Sequence, residues 1–370
     1  MKKIIVIGAG ILGASTAYQL AKSGAEVIVV DRRDPGQATD AAAGIVAPWL
    51  SKRRNKAWYK LAKGGARIYH DLIKELAADG ETNTGYAKVG ALNLHTDDEK
   101  LAAMRNHAIK RREDAPEIGE LTILNHKETK KMFPLMSDEY SALYVSGAAR
   151  VDGRKLRNAL LRGAEKHGAS IIHGDASLTY ENADITGIHV NHEYIYADEV
   201  IAATGAWTPQ LLEPLGIQFD IRPQRAQIVH LQMPGTTPEN WPVVKPPFNQ
   251  YMLTFADRIV VGATQENNVG FDRRITAGGL EFTLKNAFEI APELKHATVL
   301  ETRVGFRPMT PESVPVIGRL PGFNRLLHAN GLGSSGLTMG PYVGKQLADT
   351  ALGNTLEIDL SNYDMSRLVQ

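Results

Sequence analysis

Apolar residues recur along this chain in three rhythms, and each rhythm names a kind of element. Runs at 4–7, 27–30 and 200–203, and a shorter one within 169–173, show no polar alternation. Strands covered on both faces, as in a parallel sheet, have that composition. Helical spacing predicts helices over 14–22, 58–77 (Trp58, Leu61, Ile68, Leu72, Leu76), 279–291 and 342–352. Another is predicted over 151–168, capped by Asp152, with Leu156, Leu160 and Ala164 on one face. A charged helix is expected over 97–113. The pair Gly64-Gly65 interrupts the 58–77 pattern. Alternation predicts strands over 89–95 and 222–232, a meander over 184–196, and a hairpin over 250–264 turning at Ala256-Asp257. Residues 121–124 form a further short apolar run, and 303–318 reads as extended chain with prolines at its turns.

The opening stretch joins these rhythms into one unit. The run 4–7 enters a turn spelled Gly8-Ala9-Gly10-Ile11-Leu12-Gly13, then a helix, then the run 27–30, which ends on Asp31. In such a βαβ unit Gly8 permits the tight turn, Gly10 lets a pyrophosphate approach the backbone, and Gly13 brings helix and strand together. The helix N-terminus faces the phosphates. Asp31 is placed to accept hydrogen bonds from ribose hydroxyls and would repel a 2′-phosphate, which favours FAD or NAD over NADP. A secretory leader is rejected, because its cleavage would destroy this unit.

Two further stretches suit a ligand lying flat on backbone. The small-residue loop Ala41-Ala42-Ala43-Gly44 follows the unit, and the strand 200–203 stops in Thr204-Gly205, where chain without a Cβ can lie close to a ligand. A second glycine-rich turn, 328–341, opens the C-terminal helix. With glycine turns at both ends of the sequence, the nucleotide domain is expected to be discontinuous.

Composition narrows the field. At 370 residues, with 43% hydrophobic and 22% charged, the chain suits two globular domains rather than wholesale disorder. Lys plus Arg total 42 against 41 Asp plus Glu, so nothing recruits nucleic acid or an anionic membrane, and the cluster Lys52-Arg53-Arg54 reads as a solvated face or a local anion contact. No run reaches the roughly 20 apolar residues that span a bilayer. The lack of cysteine excludes disulfides, zinc-thiolate sites and sulfur-tethered flavin, and fits a cytoplasmic setting. No metal site is expected, since only His189 and His192 are close, on an apparent surface hairpin. Hydrolase and phosphoryl-transfer motifs are missing. Arg307, inside Val304-Gly305-Phe306-Arg307-Pro308-Met309, is costly to bury unless paired. Its planar fork suits either a substrate carboxylate or a structural ion pair.

Taken in order, the opening glycine turn with Asp31, ATDAAAGIV, VDGRKLRNALL, VIAATGAW, QYML…RIVVGAT, VGFRPMTPESVPVIG and HANGLGSSGLTMGP resemble the D-amino acid oxidase family of FAD-dependent oxidoreductases, in its glycine oxidase and sarcosine oxidase branch. The resemblance runs nearly end to end. It implies an α/β plus α+β fold: a discontinuous Rossmann-type FAD-binding domain (1–80, 145–215 and 301–370) and an interleaved antiparallel-sheet substrate domain (81–144 and 216–300).

It also implies roles. Gly8, Ala9, Gly10, Ile11, Leu12, Gly13, Asp31 and Arg32 would hold the FAD pyrophosphate, ribose and adenine edge, with Ala176 offering backbone to the adenine. Thr39, Asp40, Ala43, Gly44 and Ile45 would follow the ribityl chain and flavin ring, and Thr204, Gly205 and Trp207 would flank the diphosphate. Gly331, Gly333, Ser334, Ser335, Gly336, Leu337 and Thr338 would bring amides to the pyrimidine end. Arg307 and Tyr251 would clamp the substrate carboxylate, with Arg307 the one well-placed cation and Gln265 a pocket residue. Asn249 and Ser334 depart from the glycine oxidase pattern, which has histidine and a second arginine there.

The implied reaction is oxidation of a small amino acid (glycine, an N-alkylglycine or a D-amino acid) by hydride transfer to flavin N5, giving an imine that hydrolyses. Non-covalent FAD is expected, reoxidised by oxygen or an electron carrier, in a chain that could form a homo-oligomer. The alternatives are a 2-hydroxy acid or polyol phosphate dehydrogenase and a non-catalytic flavoprotein subunit.

Overall fold

The run 4–7 is apolar throughout because its strand, Lys3–Ile7, is the middle of a six-stranded sheet, in the computed structural model, which describes residues 1–369. Glu26–Asp31 and Ser170–His173 extend the sheet on one side. Glu199–Ala202 and Leu326–Asn330 extend it in parallel on the other, and Val316–Arg319 closes that edge antiparallel. Alternate residues serve opposite faces. Ile4 and Val6 pack under the helices Ile11–Lys22, Lys56–Ala78, Gly153–Lys166 and Gly336–Leu352. Ile5 and Ile7 pack with Ile185 and Ile188 of a three-stranded meander. That meander begins at Ser177 rather than 184, giving helix, sheet and meander as successive layers.

Glycines set how closely the helix layer stacks. Lys56–Ala78 is continuous through Gly64-Gly65, despite the interruption these residues make in its pattern. A Cβ on Gly64 would fall 2.5 Å from the Tyr342 ring, and one on Gly65 would fall 2.0 Å from the Thr338 carbonyl oxygen, so both positions carry backbone where another helix crosses. That crossing helix starts at Gly336, earlier than the expected 342, and includes Pro341. Proline cannot donate to the carbonyl four residues earlier, and the Tyr69 hydroxyl donates to that carbonyl, on Leu337, instead.

The second sheet has eight strands: Thr298–Met309, Arg222–Gln232, Ile259–Gly262, Tyr251–Thr254, Val243–Lys245, Ala91–His95, Ser141–Val145 and Leu121–Leu124, in spatial order. It is mixed rather than purely antiparallel, since Val243–Lys245 runs parallel to Ala91–His95. The expected boundary at 301 falls inside the edge strand Thr298–Met309, which pairs along its length with Arg222–Gln232. The chain re-enters the six-stranded sheet only at Val316. Helix Ala277–Ile290 covers one face of the eight-stranded sheet, and the other face looks toward the C-terminal ends of the parallel strands. Among the described residues, no helix is long and apolar enough to cross a membrane.

Candidate active site

Two cavities of about 330 and 340 Å³ lie between the sheets and share the lining residues Ile11, Ala38, Thr39, Gly333 and Gly336, so they form one elongated cleft. The first lies over the parallel strand ends. Of the sequence-predicted residues it is lined by Gly8, Gly10, Ile11, Leu12, Asp31, Arg32, Thr39, Ala176, Thr204, Gly205, Trp207, Gly333 and Gly336. The turn is as tight as the glycine pattern demands: a Cβ on Gly13 would meet the Gly8 carbonyl oxygen at 1.8 Å. Helix Ile11–Lys22 begins at Gly10 with no side-chain cap and no acid in its first turn, which leaves its N-terminal field directed at the cleft. Only the Ile11 N–H is taken locally, by Thr39 Oγ1 at 2.9 Å. Glycine backbone, an uncapped helix start and an acid at the next strand end together fit a dinucleotide pyrophosphate and ribose.

Four predicted residues stand behind this surface rather than on it. The Ala9 N–H donates to Asp31 Oδ2 at 2.5 Å, and Gly13 is packed against Gly8. Asp40 turns its carboxylate to Arg157 at 2.5 Å, away from the cleft. Gly331 lies against Thr310 and Pro315. Arg32 does line the cavity, but its guanidinium is held by Asp34 (2.8 Å), Asp175 (3.2 Å) and Gln210 (3.1 Å) across the outer end. Two contributors were not in the expected set. Gln37 donates to Asp31 Oδ1 at 2.9 Å. Buried Asn330 donates to the Gly205 carbonyl oxygen (2.8 Å) and accepts from the Gly331 N–H (2.7 Å), tying the Thr204-Gly205 strand end to the second glycine turn.

The second cavity is lined by Ala43, Gly44, Ile45, Asn249, Tyr251, Gln265, Arg307, Ser334, Ser335, Leu337 and Thr338. Thr338 Oγ1 donates to the Ile45 carbonyl oxygen at 2.9 Å and so fastens the start of the C-terminal helix to the small-residue loop. Arg307 stands opposite Gln224 in the strand register and donates to Gln224 Oε1 at 3.0 Å and the Thr264 carbonyl oxygen at 3.3 Å. The Tyr251 hydroxyl lies beside the guanidinium. Burial lowers the Arg307 pKa, opposed by Tyr251, and burial raises the Tyr251 pKa, opposed by Arg307. No carboxylate satisfies Arg307, so the structural ion-pair reading of this residue fails. The acid that follows Gln265, Glu266, is taken by Arg225 (2.5 Å), Gln227 (2.7 Å) and Thr264 (2.7 Å).

Strand Thr298–Met309 builds both cavities by alternation: Phe306 and Pro308 line the first, Gly305 and Arg307 the second.

Arg307 is not the sole cation in this cavity. Arg53 and Lys245 line it as well, and no Asp or Glu does. Arg53 folds back over the Trp58 ring, 4.9 Å from its centroid, while Lys52 and Arg54 stay exposed; the solvated-face reading therefore holds for two members of that cluster and fails for the third. Lys245 donates to the Ala47 carbonyl oxygen at 3.0 Å, and burial brings its pKa down to about 8. Burial and then Arg307 lower the Arg53 pKa. Neither residue carries a distinguishing sequence signal, since they are brought to Arg307 only by the tertiary fold. Among the described residues, no group of three His, Cys, Asp or Glu side chains is placed to hold a metal ion.

Comparison with known proteins agrees with this architecture. The family model described as FAD dependent oxidoreductase (DAO) matches residues 3–350. The chain is 56% identical over 366 residues to the uncharacterized oxidoreductase YurR of Bacillus subtilis (strain 168), covering 98% of each. It is 28% identical over 368 residues to glycine oxidase of Pseudomonas putida, again covering 98% of each. The crystal structure of iminodiacetate oxidase from Chelativorans sp. BNC1 superposes with a TM-score of 0.94 at 44% identity, covering 98% of each chain. The uncapped glycine turn and the match over almost the whole chain lead to one conclusion: this protein is an enzyme of the DAO family, an FAD-dependent oxidoreductase of the glycine oxidase type.

Proposed function

We propose that the enzyme oxidises the amine of a small amino acid, primary or N-alkylated, whose carboxylate is held by Arg307 and Tyr251. The observation that carries this reading is a cavity-facing guanidinium with neutral partners only, Gln224 and the Thr264 carbonyl, beside a tyrosine hydroxyl and continuous with the dinucleotide cleft. A carboxylate would complete the bidentate fork that these neutral groups leave open. Two relatives, a glycine oxidase and an iminodiacetate oxidase, support the same substrate chemistry.

When bound, FAD would supply the two-electron acceptor: the α C–H bond would break with its electron pair passing as hydride to the cofactor, the neutral amine's lone pair would close the C=N bond of an iminium, and water would hydrolyse it to an oxoacid and ammonium or an alkylammonium. The protein's share is orientation. Arg307 and Tyr251 fix the carboxylate end, Gln224 holds the guanidinium from behind, and the small side chains of 41–44 leave a flat wall on which the cofactor ring would rest. No side-chain base is required once the amine is neutral. The amides of 333–338 and the uncapped start of helix Gly336–Leu352 would favour negative charge on the reduced cofactor. With no cysteine in the chain and no histidine lining the cleft, FAD is proposed to be held without a covalent bond.

Three cations in the substrate cavity would also suit a phosphate, so a polyol phosphate belongs in the test. Anaerobic mixing of the purified flavoprotein with glycine, sarcosine, D-alanine, D-proline and glycerol 3-phosphate should bleach the flavin band with at least one amine. Bleaching by the phosphate alone would overturn the reading. Reoxidation in air, compared with reoxidation by an added dye, then distinguishes oxygen from an electron carrier.

A further inference from the structure

We infer that Arg53 and Lys245 form a second anion station in the substrate cavity, and that the preferred substrates are secondary amino acids whose N-substituent carries its own carboxylate. The inference rests on the amino-acid reading above and names the substrate class within it.

Arg307 has neutral hydrogen-bond partners and a tyrosine beside it, which suffices for one carboxylate. Arg53 and Lys245 come from separate segments and are not needed for that clamp, yet both face the same space. Neither has a carboxylate partner: Lys245 has only the Ala47 carbonyl, and Arg53 is stacked on Trp58. The cavity wall contains no acid, and the nearby Glu266 is already bound by Arg225, Gln227 and Thr264. Confining three positive charges without a counter-ion is costly, and a monocarboxylate answers only one of them. A dianionic substrate answers the rest. An amine nitrogen placed between two carboxylate arms would then lie between the stations, with the α C–H of the Arg307-bound arm as the bond that breaks.

The test separates binding from turnover. Diglycolate has an ether oxygen in place of the amine of N-carboxymethylglycine and cannot form an imine; methoxyacetate is the matching monoacid. Titrated into the oxidised FAD-loaded enzyme and read from the flavin absorption band, diglycolate should bind at least about tenfold more tightly than methoxyacetate, a margin that an added charge-assisted contact supplies. Arg53→Met and Lys245→Met should each weaken diglycolate more than methoxyacetate and so reduce that preference, whereas Arg307→Met should weaken both anions alike. Equal binding of the two anions to the native enzyme, or a preference that survives Arg53→Met and Lys245→Met together, overturns the inference. In turnover, N-carboxymethylglycine should exceed sarcosine in kcat/KM by a similar factor. If diglycolate is preferred but no amine bleaches the flavin, the amino-acid reading fails while the anion station stands.

Discussion

Arg307 shows how much one residue can and cannot say. Its apolar, Pro-flanked neighbourhood raised the question of a partner, but only the fold shows that its partners are neutral and that a carboxylate is missing. Arg307→Ala should therefore raise KM for the amino acid steeply, by about a hundredfold, because truncating one member of a buried charge pair costs about 2–5 kcal/mol. FAD should stay bound, and steady-state kinetics with the flavin spectrum checks both. Lys245 gives a prediction of opposite origin. Burial disfavours its charged form and brings its pKa down to about 8, so near neutral pH it is protonated, and raising the pH through about 8 removes the charge that a second carboxylate would contact. The other groups around the cavity, Arg53, Arg307 and Tyr251, are displaced from their ordinary values as well, Arg53 and Arg307 downward and Tyr251 upward. Diglycolate affinity should fall as pH rises above about 8, and Lys245→Met should flatten that arm of the profile. Sequence could not announce Lys245 or Arg53: a lysine before two prolines and an arginine between two exposed basic residues both look like surface.

At the scale of elements, the sequence was most informative where one periodicity was unmixed. The βαβ unit is readable because both faces of strands Lys3–Ile7 and Glu26–Asp31 are covered, which removes polar positions from their runs. It was least informative where packing overrides propensity. Gly64-Gly65 looked like a helix break and is a crossing point, and Pro341 looked like a helix boundary and sits inside a helix whose freed carbonyl is taken by Tyr69. Strand Val243–Lys245 is too short to show alternation, and its parallel partner lies more than a hundred residues away in sequence at Ala91–His95. Gly65→Ala decides between the two readings of that glycine. On propensity alone it should stabilise the helix by about 1 kcal/mol. A Cβ 2.0 Å from a backbone carbonyl oxygen should instead destabilise the protein by about 2–4 kcal/mol. A lowered Tm, with faster FAD release as Thr338 is pushed from the Ile45 carbonyl, is the expected outcome.

For the whole molecule, the interleaving of the two sheets is legible because glycine turns stand at both ends of the chain, whereas nothing in the sequence marks Thr298–Met309, read only as extended chain from 303, as a strand of the eight-stranded sheet. The strand's apolar and polar residues satisfy two cavities at once, which a reading for a single core cannot separate. One buried group also links the assembled sheet to pH. His328, on the parallel strand Leu326–Asn330, donates from Nδ1 to the Ala202 carbonyl oxygen at 2.8 Å, and burial brings its pKa down to about 4. The unfolded chain, with an ordinary value near 6.5, takes up this proton first as the pH falls. The contribution is thus complete above about pH 6.5 and is lost progressively toward pH 4. Urea midpoints measured between pH 7 and 4 should decline, and His328→Gln, which keeps a donor but does not titrate, should reduce the decline. His230, also lowered to about 4 by burial, would supply part of what remains.

Strand Thr298–Met309 presents Phe306 and Pro308 to one cavity and Gly305 and Arg307 to the other, so a single strand lines both ends of the cleft. Whatever orders that strand for one occupant orders it for the other, and equilibrium linkage makes the effect reciprocal. A saturating carboxylate analogue should tighten FAD binding by the same factor by which FAD loading tightens the analogue, and the dissociation constants measured for each with and without the other should close that cycle. An enzyme arranged in this way would guard its cofactor best while its substrate is plentiful.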